Sequence, residues 1–349
     1  MRTIQQAEIK SRTVLVRVDF NVPLKDGKVV DDLRIRACLP TLQYLREQGA
    51  AKIILISHLG RPEGKDKTLS LQPVSQELGK LIDGVKFVDE ISGPKVEQAV
   101  SPLKKGEILV LENLRFYPGE TENSTVFARE IVDSAGAEVF VQDGFAVAHR
   151  AHASTSAITD CLPSYAGLLL EKEVKNLEKA LRQPKHPVLL IIGGAKVDDK
   201  APLIENFKNI ADDIFVGGKI AADNLIKNSH KTYVAEDFDE DGEGQKLDVG
   251  PVATVKLAEK ITEAQTIIWN GLLGKAEDPA YATSSEIAAQ LIGEKTGTET
   301  IICGGDTAAF VENYQKQHPK LKYSLISTGG GAALEFLAGN ELPGIKVLK

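Results

Sequence analysis

Short runs of aliphatic residues punctuate the chain at 13–18, 52–56, 85–88, 108–111, 138–141, 188–192, 213–216, 266–269, 300–303 and 323–326. Most are unbroken and rich in β-branched side chains, the pattern of strands buried on both faces. Between them apolar residues recur with a helical period, as at 41–48, 74–82, 127–135, 204–211 and 255–261. Buried strands alternating with amphipathic helices predict parallel sheets closed by right-handed crossovers.

The stretch 165–182 (YAGLLLEKEVKNLEKALR) differs: it is a long amphipathic pattern rich in Leu, Glu and Lys. Gln183-Pro184-Lys185-His186-Pro187 follows as a helix stop. The spacing predicts two α/β halves joined by an interdomain helix and hinge at 165–184, with an N-terminal domain over 1–164 and a second over 185–337. An ordinary crossover helix is the alternative. The acidic run 236–243 (EDFDEDGE) reads as a solvated loop.

Composition narrows the class. A chain of 349 residues is expected to hold about two domains. With 42% apolar and 26% charged residues it is expected to fold. A net charge of −7 argues against a nucleic-acid coat or a membrane-surface role. No apolar run approaches the ~20 residues a bilayer requires, and the opening MRTIQQAEIKSR lacks a signal-peptide core. Cys38, Cys161 and Cys303 are too scattered for a metal site and read as inert thiols of a reducing compartment. The expectation is a soluble cytoplasmic enzyme.

Ligands of open parallel sheets bind beyond the carboxyl ends of the strands, so the residues following each run carry the information. In the first half they are polar and basic: Asp19-Phe20-Asn21, Ser57-His58-Leu59-Gly60-Arg61, Glu112-Asn113-Leu114-Arg115 and Asp143-Gly144-Phe145. In the second half they are glycine-rich: Gly193-Gly194-Ala195-Lys196, Gly217-Gly218-Lys219, Asn270-Gly271, Gly304-Gly305-Asp306-Thr307 and Ser327-Thr328-Gly329-Gly330-Gly331.

Glycine allows backbone N–H groups to approach a phosphate, and a helix starting just after adds its positive end. The second half therefore reads as a nucleotide-phosphate site, although helix–strand packing also selects glycine. Lys196 and Lys200, four apart, are expected on one helix face near the phosphates. Asp306 suits a magnesium ion that shares phosphate oxygens. No Walker loop and no GxGxxG occurs. The first half reads as a site for a small acid: Arg34, Arg61, Arg115 and Arg150 offer guanidinium forks, with His58, His149 and His152 in the same regions. Arg36 is the alternative to Arg34, because helical residues two apart point about 200° from each other. A metal between His149 and His152 lacks supporting ligands.

At these residues the chain resembles the phosphoglycerate kinase family. Val18-Asp19-Phe20-Asn21-Val22-Pro23, Ser57-His58-Leu59-Gly60-Arg61-Pro62, Glu112-Asn113-Leu114-Arg115-Phe116, Ala148-His149-Arg150-Ala151-His152-Ala153-Ser154, Gly193-Gly194-Ala195-Lys196-Val197-x-Asp199-Lys200, Trp269-Asn270-Gly271, Gly304-Gly305-Asp306 and Ile326-Ser327-Thr328-Gly329-Gly330-Gly331-Ala332 match its motifs in order across nearly the whole chain. The resemblance implies two doubly wound parallel-sheet domains of Rossmann-like α/β type flanking a cleft, with a C-terminal tail (338–349) packing back on the first domain. It implies a monomer and reversible magnesium-dependent phosphoryl transfer between 1,3-bisphosphoglycerate with ADP and 3-phosphoglycerate with ATP. Neither nucleic acid nor membrane is implied as a partner.

Position by position, Asp19, Asn21, Arg34, His58, Arg61, Arg115 and Arg150 resemble the family's phosphoglycerate ligands, with His152 in the same basic patch. Lys196 and Lys200 resemble the lysines at the transferring and nucleotide phosphates. Gly194, Gly217, Gly218, Asn270, Gly305 and Thr307 fall in the matching nucleotide motifs, and Glu277 aligns with a ribose contact. Asp306 resembles the magnesium-proximal aspartate. Arg34, Lys196 and the helix N-terminus near Gly330 are the expected charge-neutralising groups. A carboxylate acceptor with a pKa near ~4 is already ionised, so no general base is required.

Departures cluster in the nucleotide half. Lys219 stands where the family has a third glycine, beside the expected adenine pocket. Only 25 residues (225–249) lie between Asn224 and Gly250, a stretch that is longer in the family and carries another helix and strand. A βα piece walling the nucleotide is therefore expected to be missing. Leu272 replaces a proline, Lys275-Ala276 a Val-Phe pair and Cys303 a glycine; Asp143-Gly144-Phe145-Ala146-Val147 replaces Asp-Ala-Phe-Gly-Thr. These changes point to an altered nucleotide preference. A non-catalytic phosphoglycerate binder is the competing class, disfavoured by the complete transfer set Lys196, Lys200 and Asp306.

Overall fold

The computed structural model describes residues 1–196 and 200–349. Val197 and Asp199 of the lysine motif lie outside them. The chain divides into two units, Met1–Lys172 with Glu341–Lys349, and Glu173–Asn340.

The first unit is built on a six-stranded, all-parallel sheet. Its order is Val85–Phe87, Glu107–Val110, Lys52–Ile56, Thr13–Arg17, Val139–Gln142 and Ser164–Ala166. The central strands are apolar and buried, and helices pack on both faces over two cores. One core gathers Val14, Val16, Ile53 and Leu55 with Ile35, Leu42 and Leu78. The other gathers Leu15, Ile54 and Leu109 with Phe127, Ile131 and Phe140. Alternate residues of one strand thus feed opposite layers. The C-terminal segment belongs to this unit: Leu348 C=O accepts from Arg2 N–H (2.7 Å) and Ala148 C=O from Gly344 N–H (2.8 Å).

The second unit repeats the plan with the order Thr232–Val234, Asp213–Val216, Val188–Ile192, Thr266–Asn270, Glu299–Cys303 and Leu325–Ile326, again all parallel. Counted along the chain this is 3-2-1-4-5-6. The strand order reverses between Val188–Ile192 and Thr266–Asn270, the point at which such sheets bind ligands.

Three expectations need correction. The pattern at 165–182 does not start as a helix. Ser164–Ala166 is an edge strand, and the helix is Leu168–Arg182. Backbone pairing wins there: Ala166 N–H donates to Arg2 C=O (2.9 Å) and Gly167 N–H to Gln142 C=O (2.8 Å). Second, the acidic run is not a loop throughout. Phe238–Glu240 pairs antiparallel with Lys246–Val249, setting Phe238 opposite the buried Val249 while Asp239 and Glu240 stay exposed. Third, the 225–249 stretch keeps a strand, Thr232–Val234, and lacks only the helix among its described residues.

Candidate functional sites

In the first unit the basic residues converge at the carboxyl ends of the strands. Arg61, Arg115, Arg150 and His152 line a cavity of about 470 Å³ together with Tyr117 and Thr121. Beside it, Arg34 forms an ion pair with Asp19 (2.7 Å) and donates to Asn21 C=O (3.0 Å). Gly60 joins the two groups: its N–H donates to Asn21 Oδ1 (2.9 Å) and its C=O accepts from Arg115 (2.6 Å). Arg36 turns away to Asp32 (2.6 Å), so of the two helix arginines only Arg34 joins this cluster. Burial and the nearby Arg150 and Arg17 lower the Arg115 pKa to about 10. A guanidinium short of counter-charge is prepared to meet an anion.

A buried support missed by the sequence reading holds this surface. Arg17, fully buried at the end of an apolar strand, donates from Nε to Ser154 Oγ (2.8 Å) and from one terminal nitrogen to Ser57 Oγ (3.2 Å). Its other terminal nitrogen lies 3.1 Å from His58 Nδ1. Arginine has only donors, so Nδ1 of His58 accepts and its proton sits on Nε2. The Asp19 carboxylate, 4.0 Å from Nδ1, is too far to compete for it. Burial and the surrounding guanidiniums of Arg17, Arg115, Arg150 and Arg34 hold the His58 pKa well below the usual imidazole range. His58 is therefore a neutral donor.

Ser154 continues the chain to Glu120, donating its hydroxyl (2.7 Å) and its N–H (3.0 Å). Burial alone would raise the Glu120 pKa, but His152, Arg17 and Ser154 outweigh it and hold the carboxyl below its usual range. The signal was one charged residue closing the run Thr13–Arg17. His149 Nε2 accepts from Arg150 Nε (3.1 Å). No group of three metal-ligating side chains occurs among the described residues.

In the second unit one cavity of about 1080 Å³ is lined by Gly194, Lys196, Lys200, Gly218, Lys219, Asn270, Glu277, Gly305, Asp306, Thr307 and Gly330. Gly217 is not among the lining. A Cβ there would stand 2.8 Å from Leu273 and 2.9 Å from Val249, so this glycine serves packing. The glycines in fact divide into two sets. A Cβ on Gly193 would lie 2.2 Å from Leu272 O, and one on Gly218 2.7 Å from Gly194 N. These residues let adjacent strand-end turns touch. By contrast, Gly305 and Gly330 have nothing within 4 Å of an added Cβ, and Gly194 only Gly271 Cα at 3.9 Å. Those three open onto the cavity.

Helices Gly305–Gln317 and Gly331–Leu337 start at its edge, with unpaired N–H groups and positive ends. Lys200 precedes helix Ala201–Phe207 as its N-cap, and Lys196 lies outside any helix. The expected shared helix face is thus not formed, yet both lysines line the cavity. Lys200 donates to Asn270 Oδ1, whose amide donates to Cys303 Sγ (3.5 Å). Thr307 Oγ1 accepts from Gly271 N–H (2.9 Å). The far wall is the hairpin: Phe238 and Gly244–Asp248 line the same cavity.

Two units of doubly wound α/β type, one with an arginine-lined cavity and one with a cavity lined by glycine turns and lysines, suit a phosphotransferase of small molecules. A phosphoglycerate kinase family model matches residues 4–242 and 221–340. Among solved structures, phosphoglycerate kinase from Coxiella burnetii is 32% identical over 99% of this chain and 98% of its own, with a TM-score of 0.80. Phosphoglycerate kinase from Pyrococcus horikoshii OT3 is 27% identical over 100% and 98%, with a TM-score of 0.88. The chain belongs to the phosphoglycerate kinase family. Its function is that of a glycolytic phosphoglycerate kinase, with ATP or ADP as co-substrate. Among the described residues no helix is long and apolar enough to cross a membrane.

Proposed function

We propose that the first unit holds 3-phosphoglycerate or 1,3-bisphosphoglycerate, the second holds magnesium ADP or ATP, and the phosphoryl group passes to and from a carboxylate oxygen. The chemical contrast between the two cavities carries this reading. One presents three arginines and a histidine from fixed backbone positions. The other presents backbone, lysines and one carboxylate at a helix start.

Arg61, Arg115, Arg150 and His152 take the acid's phosphate. Asp19, Asn21 and the neutral Nε2–H of His58 orient its polar backbone, and Arg34 meets the reacting carboxyl end. Lys196 neutralises the transferring phosphoryl group, Lys200 the nucleotide phosphates, and Gly194, Gly305 and Gly330 offer N–H groups to their oxygens. Gly218, Asn270 and Thr307 shape the nucleotide subsite, with Glu277 at the ribose.

Asp306 is the carboxylate suited to magnesium. A magnesium ion takes one or two protein carboxylates and fills its shell with phosphate oxygens and water, so Asp306, at the start of helix Gly305–Gln317 on this cavity, fits it. When bound, the ion neutralises phosphate charge. The acceptor carboxylate is already ionised at neutral pH, so no residue has to remove a proton, and catalysis is positioning plus charge neutralisation. The working form is a cytoplasmic monomer.

The test is a coupled assay on wild type and Lys196→Ala, with calorimetry for 3-phosphoglycerate. Turnover should fall by about 10²–10³-fold, as when a transition-state charge partner is removed, with acid affinity unchanged. Equal turnover would overturn the role of Lys196.

A further inference from the structure

The arginine-lined cavity of the first unit has two walls. One is the loop that follows Gly60 and carries Arg61; the other runs from Arg115 through Tyr117 to Thr121. Each wall brings a guanidinium to the same space. After burial, Arg150 and Arg17, Arg61 adds to the lowering of the Arg115 pKa. Like charges push the two walls apart until an anion sits between them.

The loop is fixed at both ends. Gly60 is held by Asn21 and Arg115, and Asn113 Nδ2 donates to Leu59 C=O (2.7 Å) and Leu69 C=O (2.9 Å). Between these ends, residues 61–65 make no hydrogen bond or ion pair with other described residues except through Lys65. The Lys65 ammonium reaches Glu90 Oε1 (3.1 Å) and Oε2 (3.2 Å) and lies over the Tyr117 ring, 5.1 Å from its centroid. The Tyr117 hydroxyl donates to the same Glu90 Oε2 (2.6 Å). One carboxylate therefore ties the two walls together. Donation from Tyr117 and Lys65 holds the Glu90 carboxyl below its usual range in spite of partial burial, so it is ionised at neutral pH. The tie is anchored behind: Glu90 C=O accepts from Glu112 N–H (3.2 Å), and the Tyr117 ring packs on Phe127 with centroids 6.0 Å apart.

Resting on the reading of this cavity as the phosphoglycerate site, we propose that Lys65, Glu90 and Tyr117 form a clasp that sets the spacing of Arg61 from Arg115 before the acid binds, with Glu90 as the positioning residue. Glu90 is outside the cavity lining and acts only through the walls it joins. Holding the walls in advance removes a reorganisation cost from binding. The clasp bears on affinity for the acid and not on the phosphoryl step, where the bound anion itself holds the guanidiniums. Its sign separates it from a field effect. Glu90 is a negative charge near an anion site, so by Coulomb attraction alone its loss should tighten the acid. As a clasp, its loss should weaken it.

The experiment measures kcat, KM and calorimetric affinity for 3-phosphoglycerate in wild type, Glu90→Gln, Tyr117→Phe, Lys65→Met and Lys65→Arg. Glu90→Gln and Tyr117→Phe are repeated in an Arg61→Ala background. Glu90→Gln and Lys65→Met should each raise KM and Kd about three- to fivefold, the scale of a part-exposed charged contact, with kcat and nucleotide KM unchanged. Tyr117→Phe, which changes no charge, should weaken the acid in the same direction and decides the matter if Glu90→Gln does not fold. Lys65→Arg keeps a cation over the ring and should stay within about twofold of wild type. With Arg61→Ala already in place, neither Glu90→Gln nor Tyr117→Phe should add to the loss. Acid bound as tightly or more tightly in Glu90→Gln or Tyr117→Phe, a fall in kcat at unchanged KM, or a full effect that persists without Arg61 overturns the clasp alone. Phosphoglycerate affinity untouched by Arg61→Ala itself overturns the acid-site reading of this cavity, and the clasp with it.

Discussion

In the first unit the anion-facing groups are long side chains, and each is held by something behind it: Arg115 by Gly60, Arg34 by Asp19, His58 by Arg17, His152 by Glu120. In the second unit the corresponding work falls to backbone at glycine turns, with lysines added at the margin. A site made of side chains can lose one member and keep its shape. A site made of touching backbones cannot accept a single added carbon. The two halves should therefore fail differently.

The largest effect is expected from Gly193→Ala. The new Cβ would sit 2.2 Å from Leu272 O and 2.5 Å from Gly271 O, backbone atoms that move only if the turns separate. We expect about 3 kcal/mol of destabilisation in the second unit and loss of nucleotide binding with phosphoglycerate binding retained. Calorimetry for both ligands and a melting curve check this. Unchanged nucleotide affinity would show that the turn contacts are dispensable.

Arg17→Gln tests the other half. It strips the counter-charge from buried Glu120 and frees His58 Nδ1, costing about 3 kcal/mol and weakening acid binding while sparing the nucleotide. In wild type, nitrogen-15 spectra should show the Nε2–H tautomer of His58 unchanged across neutral pH. A Nδ1–H form would sink the assignment.

The same comparison explains what could be read in advance. Strand runs and the glycine–arginine contrast between the halves are local in sequence, so both sheets were legible. Arg17, Ser154 and Glu120 are far apart in the chain and meet only after folding, so the network behind the basic surface was not. Charge misled at 236–243, where Phe238 pairs across the hairpin with the buried Val249. Gly217 and Gly194 look alike in sequence, and only the neighbours of a missing Cβ tell a packing glycine from a ligand-facing one.

Asp143 extends the contrast to pH. Its buried carboxyl accepts from Leu169 N–H (3.0 Å), at the start of helix Leu168–Arg182, and burial pushes its pKa up to about 7. The folded state therefore binds a proton that the unfolded chain has lost above pH ~4. First-unit stability should fall as pH rises from ~4 through ~7, by a few kcal/mol at most. His58 and His149, both lowered by burial, work in the opposite sense below the usual imidazole range. Asp143→Asn should remove the downward slope, and a slope that survived would place its origin elsewhere.

The smallest effect is expected where the second unit does rely on a side chain. Cys303 Sγ accepts from the Asn270 amide (3.5 Å) and lies 3.6 Å from Trp269 C=O. Burial raises its pKa to about 11, so it acts as a neutral thiol. Cys303→Ala removes one weak acceptor and leaves the Gly193, Gly218 and Gly271 contacts intact. Stability should drop by about 1 kcal/mol, and nucleotide KM should rise less than about threefold, since under 1 kcal/mol of binding is at stake. A loss of nucleotide binding as severe as that from Gly193→Ala would mean that Asn270, oriented by its thiol partner, carries the site, and that the second unit resembles the first after all.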